Sequence, residues 1–212
     1  MPAFKVGRKR VIIDIDTQRH FFTNEGIVRV RNHQETLTNI QRILNWGLRK
    51  NISIISTVQI YTNHNSNLGM IDQEGQKKIT TTLCSRRTCF PANDRTDLPP
   101  QILAEYDQVI FCKRCFDPFE EPRIDRILSE LQADEFILIG AVAEGSVRAT
   151  AHGLLSRQKN VTIVYDATGS YKKKAGKIVF RQMLVRGANL ISTNELVAFQ
   201  LPADTRNWQL IF

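Results

Sequence analysis

Three side chains that could do chemistry stand at or just beyond the end of an apolar segment. Asp16 ends the segment R-V-I-I-D-I-D, and Lys113 ends the segment Q-V-I-F-C-K. Ser146 follows the apolar run F-I-L-I-G after a turn of mostly small residues, at the start of a predicted helix. A carboxylate, an ammonium and a hydroxyl at such positions could form a nucleophilic site. Each also has an ordinary alternative, as a turn cap, a solvated strand end and a helix cap respectively.

The segments around these residues alternate between strand-like and helix-like patterns. Strands are predicted at 10–16, 52–61, 108–113, 136–140, 161–166 and 189–192. Helices are predicted at 36–50, 122–131, 147–155, 177–186 and 193–199. This alternation favours one α/β domain over residues 1–212, with a mainly parallel sheet and helices on both faces. The polar segment 62–106 is expected to contain short elements and part of the active-site wall.

The segment around Ser146 resembles the nucleophile segment of the isochorismatase-like (cysteine hydrolase) family, which typically reads G-V-x-T-x-x-C-V-x-x-T-A. Gly140, Val147, Thr150 and Ala151 match this pattern, and Ser146 occupies the position of the family's catalytic cysteine. The segment D-T-Q-R-H-F-F, which begins at residue 16, is similar to the family's D-M-Q-N-D-F. The resemblance runs from about residue 11 to residue 197 and implies a Rossmann-like, six-stranded sheet in the order 3-2-1-4-5-6.

The same resemblance implies a function and a set of site residues. It implies a hydrolase for a small amide or related substrate, which forms a covalent intermediate through Asp16, Lys113 and Ser146. Asp16, and not the deeper Asp14, matches the family's catalytic base, and the lysine stabilises the ionised nucleophile. Backbone N–H groups near Ala143 and Ser146 would form the oxyanion hole, and a non-proline cis peptide would join Val142 to Ala143. The predicted substrate-binding residues are Phe22, Phe116, Val142, Ala143 and Gly145.

Serine at the nucleophile position departs from the family pattern. A cysteine ionises readily beside a lysine and a helix N-terminus, whereas an alcohol needs a well-oriented base such as histidine. None of the four histidines occupies a catalytic position of the family. Three interpretations follow: Ser146 is a weaker or repurposed nucleophile, the protein is an inactive relative that binds a ligand or partner, or the serine was introduced in place of a cysteine.

The charge and cysteine content bear on partners and cofactors. The formal net charge is +8, but the basic residues form small clusters without interleaved aromatics, so we predict a solvated surface and no nucleic-acid partner. The pairs Cys84–Cys89 and Cys112–Cys115 have spacings that could bind zinc, with buried free thiols as the alternative. The segment 61–64 lacks the D-x-H that a nicotinamidase-type metal site needs. We therefore expect no cofactor, no catalytic metal and a small-molecule substrate.

The ends of the sequence suggest a location and an assembly state. No apolar run reaches the roughly 18–20 residues of a membrane span, and the N-terminal ten residues lack the apolar core of a secretory signal. We therefore expect a cytoplasmic protein that does not associate with membranes. The last residues include the apolar set Trp208, Leu210, Ile211 and Phe212, which predicts a homo-oligomer with this tail near the interface.

Overall fold

The structure, a computed structural model, describes residues 9–61 and 73–198. Its centre is a parallel sheet of seven strands in the order β3-β4-β2-β1-β5-β6-β7. The strands are β1 Arg10–Ile15, β2 Ser53–Gln59, β3 Arg87–Phe90, β4 Gln108–Lys113, β5 Glu135–Gly140, β6 Val161–Thr168 and β7 Asn189–Ile191. The predicted fold class and the parallel arrangement are confirmed.

The predicted number of strands is wrong by one, because β3 was not anticipated. This strand pairs with β4 at the edge of the sheet, with Arg87 opposite Gln108 and Phe90 opposite Phe111. Exposed and half-buried residues alternate along its four residues, so no apolar run marks it in the sequence. When β3 is left out, the remaining six strands follow the expected order.

The helices connect the strands and cover both faces of the sheet. They are α1 Arg19–Phe22, α2 His33–Arg49, α3 Gln73–Gln76, α4 Ile102–Glu105, α5 Pro122–Glu130, α6 Arg148–Ser156, α7 Lys173–Val185 and α8 Thr193–Ala198. Short 3-10 turns lie at Thr80–Thr82 and Pro118–Glu120, and a π-type turn at Ala143–Val147 precedes α6. None of the helices in the described ranges is long and apolar enough to cross a membrane.

Two apolar clusters hold these helices against the sheet. On one face, α4, α5, α6 and α7 pack with alternate residues of the strands, such as Val11 and Ile13 of β1. On the other face, α1, α2 and α8 pack with the intervening residues, such as Ile12. This division follows from the two-residue period of a strand, which sends successive side chains to opposite faces.

The carboxyl ends of β1 and β5 come unusually close together. Gly140 ends β5 opposite Ile15 of β1 and adopts a φ of 115°, in the left-handed region that favours glycine. A β-carbon at Gly140 would overlap the carbonyl of Ile15. This close approach brings the chain that follows β5 next to the end of β1, where Asp16 stands.

Candidate active site

The structure brings Asp16, Lys113 and Ser146 together at the carboxyl edge of the sheet. Asp16 directly follows β1, Lys113 ends β4, and Ser146 lies in the turn before α6. Lys113 Nζ is 2.7 Å from Asp16 Oδ2 and donates to Ser146 Oγ at 3.0 Å. All three side chains are buried, so their contacts are shielded from bulk water. Their catalytic role stays a prediction.

The ammonium of Lys113 is surrounded by acceptors. Besides Asp16 and Ser146, it contacts Gln59 Oε1 at 2.6 Å and the carbonyl of Cys115 at 3.1 Å. The side chain is fully buried, and a buried ammonium is costly unless it is paired and hydrogen-bonded. These four acceptors meet that requirement and hold the ammonium between the carboxylate and the hydroxyl.

Asp16 is fixed by its backbone and by the neighbouring strand. Its φ of 48° turns the chain sharply out of β1, in a region that aspartate adopts more readily than most residues. The hydroxyl of Thr57, on β2, donates to Asp16 Oδ1 at 2.6 Å. One carboxylate oxygen therefore meets a hydroxyl and the other an ammonium, which fixes the orientation of the group.

A second buried ion pair lies deeper in the same edge of the sheet. Asp14 accepts from Lys78 Nζ at 2.5 Å and from Ser56 Oγ at 2.9 Å, and also from the hydroxyl of Thr17. The sequence analysis did not identify Lys78 as a partner of Asp14. The position of Lys78 in the irregular segment before the Thr80–Thr82 turn gives no signal of this contact.

Two glutamines link the strand ends and were not anticipated as part of the site. Gln59 lies opposite Lys113 in the β2–β4 ladder, and its Nε2 donates to the carbonyl of Arg114 at 2.8 Å. Gln18 exchanges two hydrogen bonds of 2.8 Å with the backbone of Gln59. The sequence signal for Gln18 was its place in the Asp-Thr-Gln segment. Gln59 could have been found only from the strand register.

The turn before Ser146 differs from the prediction at one position. The cis peptide joins Ala141 to Val142, one residue earlier than predicted. The N–H of Ala143 donates to the carbonyl of Gly169 at 2.8 Å, so it is not available for an oxyanion, and that part of the prediction is wrong. The N–H of Val142 has no acceptor within the described ranges. Val142 therefore offers one free donor in this turn.

The family model for the isochorismatase domain matches residues 10–195 of the chain. The chain belongs to the isochorismatase family. No curated protein matches its sequence significantly.

Solved structures of several proteins share the isochorismatase fold. The MAR1 ribonuclease of Caenorhabditis elegans is 22% identical, with a TM-score of 0.62 over 90% of this chain and 80% of its own. A pyrazinamidase of Pyrococcus horikoshii, solved in complex with zinc, is 18% identical, with a TM-score of 0.68 over 87% of this chain and 99% of its own. The N-carbamoylsarcosine amidase of Thermoplasma acidophilum is 18% identical, with a TM-score of 0.67 over 88% of this chain and 97% of its own. These identities show a shared fold and not a shared reaction.

The predicted pocket residues of this isochorismatase-family protein fall into two groups. Phe116 is 54% exposed and lies beside Gly145 in the π-type turn, so both are accessible near Ser146. Val142 and Ala143 are buried in the same turn. Phe22, by contrast, is buried in the apolar cluster around α2, and the contacts described here do not place it beside the three central residues.

Aromatic side chains near Asp16 were missed by sequence reasoning. The pKa of Tyr61 is raised by burial and also by the negative charge of Asp16, which indicates that the two groups are close. His20 makes an edge contact with Tyr61, with ring centroids 5.6 Å apart. Burial also lowers the pKa of His20, which favours the neutral form of this ring. The one local signal for His20 is its spacing of four residues from Asp16.

The cysteines do not gather into a metal site. Cys84 is buried in the cluster around α2, and burial raises the pKa of its thiol to about 11. Cys89 and Cys112 lie on neighbouring strands and hydrogen-bond to each other. In the described part of the chain, no three histidine, cysteine, aspartate or glutamate side chains are arranged to hold a metal ion. His64 and the apolar C-terminal tail from residue 199 lie outside the described residues.

Proposed function

We propose that this protein hydrolyses a carbon–nitrogen bond in a small amide, with Asp16, Lys113 and Ser146 as catalytic residues. The observation that carries the proposal is the position of Lys113 Nζ, within hydrogen-bonding distance of both the Asp16 carboxylate and Ser146 Oγ. Family membership supports a hydrolase. The pyrazinamidase and the N-carbamoylsarcosine amidase named above support an amide substrate.

The reaction would proceed through an acyl-enzyme. Ser146 Oγ attacks the carbonyl carbon of the amide, and its proton passes to Asp16, which returns it to the departing nitrogen. Water then adds to the acyl carbon while Asp16 accepts a proton from it. The ester bond to Ser146 Oγ breaks as Asp16 returns that proton to Oγ, which releases the acid. The ammonium of Lys113 stabilises negative charge as it develops on Oγ. The N–H of Val142, which has no acceptor within the described ranges, would donate to the carbonyl oxygen.

The electrostatics of the site suit a thiol better than an alcohol. Lys113 donates to Ser146 Oγ, which favours a charged nucleophile but removes no proton from it. One oxygen of Asp16 already accepts a hydrogen bond from Thr57, and the other forms an ion pair with Lys113 at 2.7 Å. Slow turnover is therefore expected with serine. A second candidate function is non-catalytic binding of a ligand or partner. It rests on the same mismatch between the serine and its surroundings.

Replacing Ser146 tests the proposal directly. In Ser146→Cys we expect faster hydrolysis across a panel of small amides that includes pyrazinamide and N-carbamoylsarcosine, whereas Ser146→Ala should abolish turnover. An ordinary thiol is only a few per cent ionised at pH 7, so full ionisation beside Lys113 should raise its alkylation rate by about 30-fold. Turnover by chromatography and alkylation by mass spectrometry measure the two effects.

Ser156→Cys provides the matched control, because Ser156 is an exposed serine at the far end of the same helix. Its thiol should react at the rate of an ordinary cysteine. If Ser146→Cys shows neither amide hydrolysis nor a thiol that reacts faster than this control, the site is not a latent cysteine hydrolase. The ligand-binding interpretation would then replace the proposal.

A further inference from the structure

A groove between α6 and α7 lies outside the candidate active site. Its volume is about 660 Å³, and neither Asp16, Lys113 nor Ser146 contributes to its lining. Arg148 and His152 line it from α6, and Arg181 and Arg186 line it from α7 and the residue that follows. A single carboxylate, that of Asp117, faces these basic groups, and it already accepts a hydrogen bond from the N–H of Phe119.

The arginines of this groove differ from most others in the protein. Most described arginines donate to a carboxylate, a carbonyl or an amide oxygen, as Arg123 does to Asp97 and Asn93. Arg148, Arg181 and Arg186 have no such acceptor within residues 9–61 and 73–198. Three exposed arginines therefore line one groove without a described acceptor, and an anion bound there would reduce the repulsion between their charges.

Helix periodicity explains why these residues line the same groove. Arg148 and His152 are four residues apart on α6, and Arg181 and Val185 are four residues apart on α7, so each pair lies on one side of its helix. Between the two rows lie Ala149 and Met183, which give the groove an apolar floor. The groove therefore offers guanidinium donors at its rim and apolar contact below.

We propose that this groove binds a small phosphate-bearing molecule. Without counting His152, three arginines and one aspartate give the lining a formal charge of +2, which one phosphate dianion or a diphosphate would match. The planar guanidinium presents paired donors that fit phosphate oxygens bidentately. A single carboxylate would neutralise only half of this charge. The apolar floor would contact the organic part of the ligand.

Calorimetry with inorganic pyrophosphate as the probe tests this proposal on the full chain. We expect saturable binding of one pyrophosphate per chain at low ionic strength, weakening as salt is added. Arg148→Ala and Arg181→Ala should each weaken binding by about tenfold or more, because each removes charge-assisted hydrogen bonds. Arg49→Ala is the matched control: Arg49 is exposed, ends α2 and has no described acceptor, so its loss changes the net charge equally.

Three results would overturn the proposal. Pyrophosphate binding that is undetectable at millimolar concentration would show that the groove is not a phosphate site. An equal loss of affinity in Arg49→Ala would show that only the overall charge of the protein matters. Binding of a ten-residue oligouridylate without any binding of pyrophosphate would indicate a polyanion surface instead of a small-molecule site. All variants change exposed residues, and equal melting temperatures would verify that they are folded.

Discussion

Substituting Lys113 by methionine should destabilise the protein by an amount that follows from its burial. Methionine fills a similar volume but leaves the carboxylate of Asp16, which is 1% exposed, with the Thr57 hydroxyl as its remaining side-chain donor. Removing one partner of a buried ion pair costs about 3–5 kcal/mol. For a chain of this size, each kcal/mol lowers the melting temperature by about 2–4 °C, so we expect a decrease of about 6–20 °C.

The pH dependence of that loss provides a signature of the ion pair. In Lys113→Met, the folded protein can relieve the isolated charge by binding a proton that the unfolded chain releases above about pH 4. Folded protein then holds more protons than unfolded protein, so the stability of the variant falls as pH rises from 4 to 7. Thermal unfolding followed by circular dichroism at several pH values measures this. The stability difference from the unmodified protein should shrink toward pH 4.

Two further variants separate the ion pair from general damage to the core. Asp16→Asn combined with Lys113→Met removes both charges and should recover much of the lost stability. Lys78→Met breaks the neighbouring pair with Asp14, so it should destabilise comparably. In a Ser146→Cys background, only Lys113→Met should abolish fast alkylation of the new thiol. A melting temperature lowered by less than about 3 °C, or a double variant no more stable than the single one, would refute the reasoning.

Two other predictions concern the edge strand and the end of β5. The hydrogen bond from Cys112 lowers the pKa of the exposed Cys89 to about 7, so alkylation of Cys89 should be half-maximal near pH 7 and shift toward pH 8.5 in Cys112→Ala. Peptide mapping that finds Cys84 or Cys115 modified faster would contradict this. Gly140→Ala should cost at least about 3 kcal/mol, because the added carbon meets the Ile15 carbonyl in addition to the backbone strain. The control Gly187→Ala has a similar φ of 101° with open space around it, so it should cost only the strain, about 1–2 kcal/mol in denaturant unfolding.

The sequence was sufficient for the features that depend on local pattern. The buried strands read as continuous apolar runs, and the residues at their carboxyl ends, Asp16 and Lys113, were located because parallel strands present those ends at one edge. Pro122 marked the start of α5, because proline is favoured in the first turn of a helix. Strand β3 was missed because an exposed edge strand needs no apolar run, and its four residues carry arginine and threonine.

Features that depend on register and on backbone hydrogen bonds could not be predicted. The contact between Gln59 and Lys113 exists because these residues are opposite each other in the β2–β4 ladder, which no local pattern specifies. The pairing of Lys78 with Asp14 joins residues 64 positions apart. The N–H of Ala143 was wrongly predicted to be available for an oxyanion, because it donates to Gly169, and only the folded chain brings these two residues together.

The four acceptors around Lys113 have a consequence for the energy of any charged state of residue 146. An ammonium carries three protons, and its hydrogen bonds go to Gln59, Ser146 and Cys115, while Asp16 lies at ion-pairing distance. The contacts to Ser146 and Cys115 are the two longer ones, at 3.0 and 3.1 Å. Rotation about the Cε–Nζ bond can turn an N–H of Lys113 away from the Cys115 carbonyl and toward an anionic atom at residue 146. The heavy atoms of every side chain keep their positions during this rotation. Stabilising that anion would then require almost no reorganisation of the surrounding protein, whichever nucleophile occupies the position.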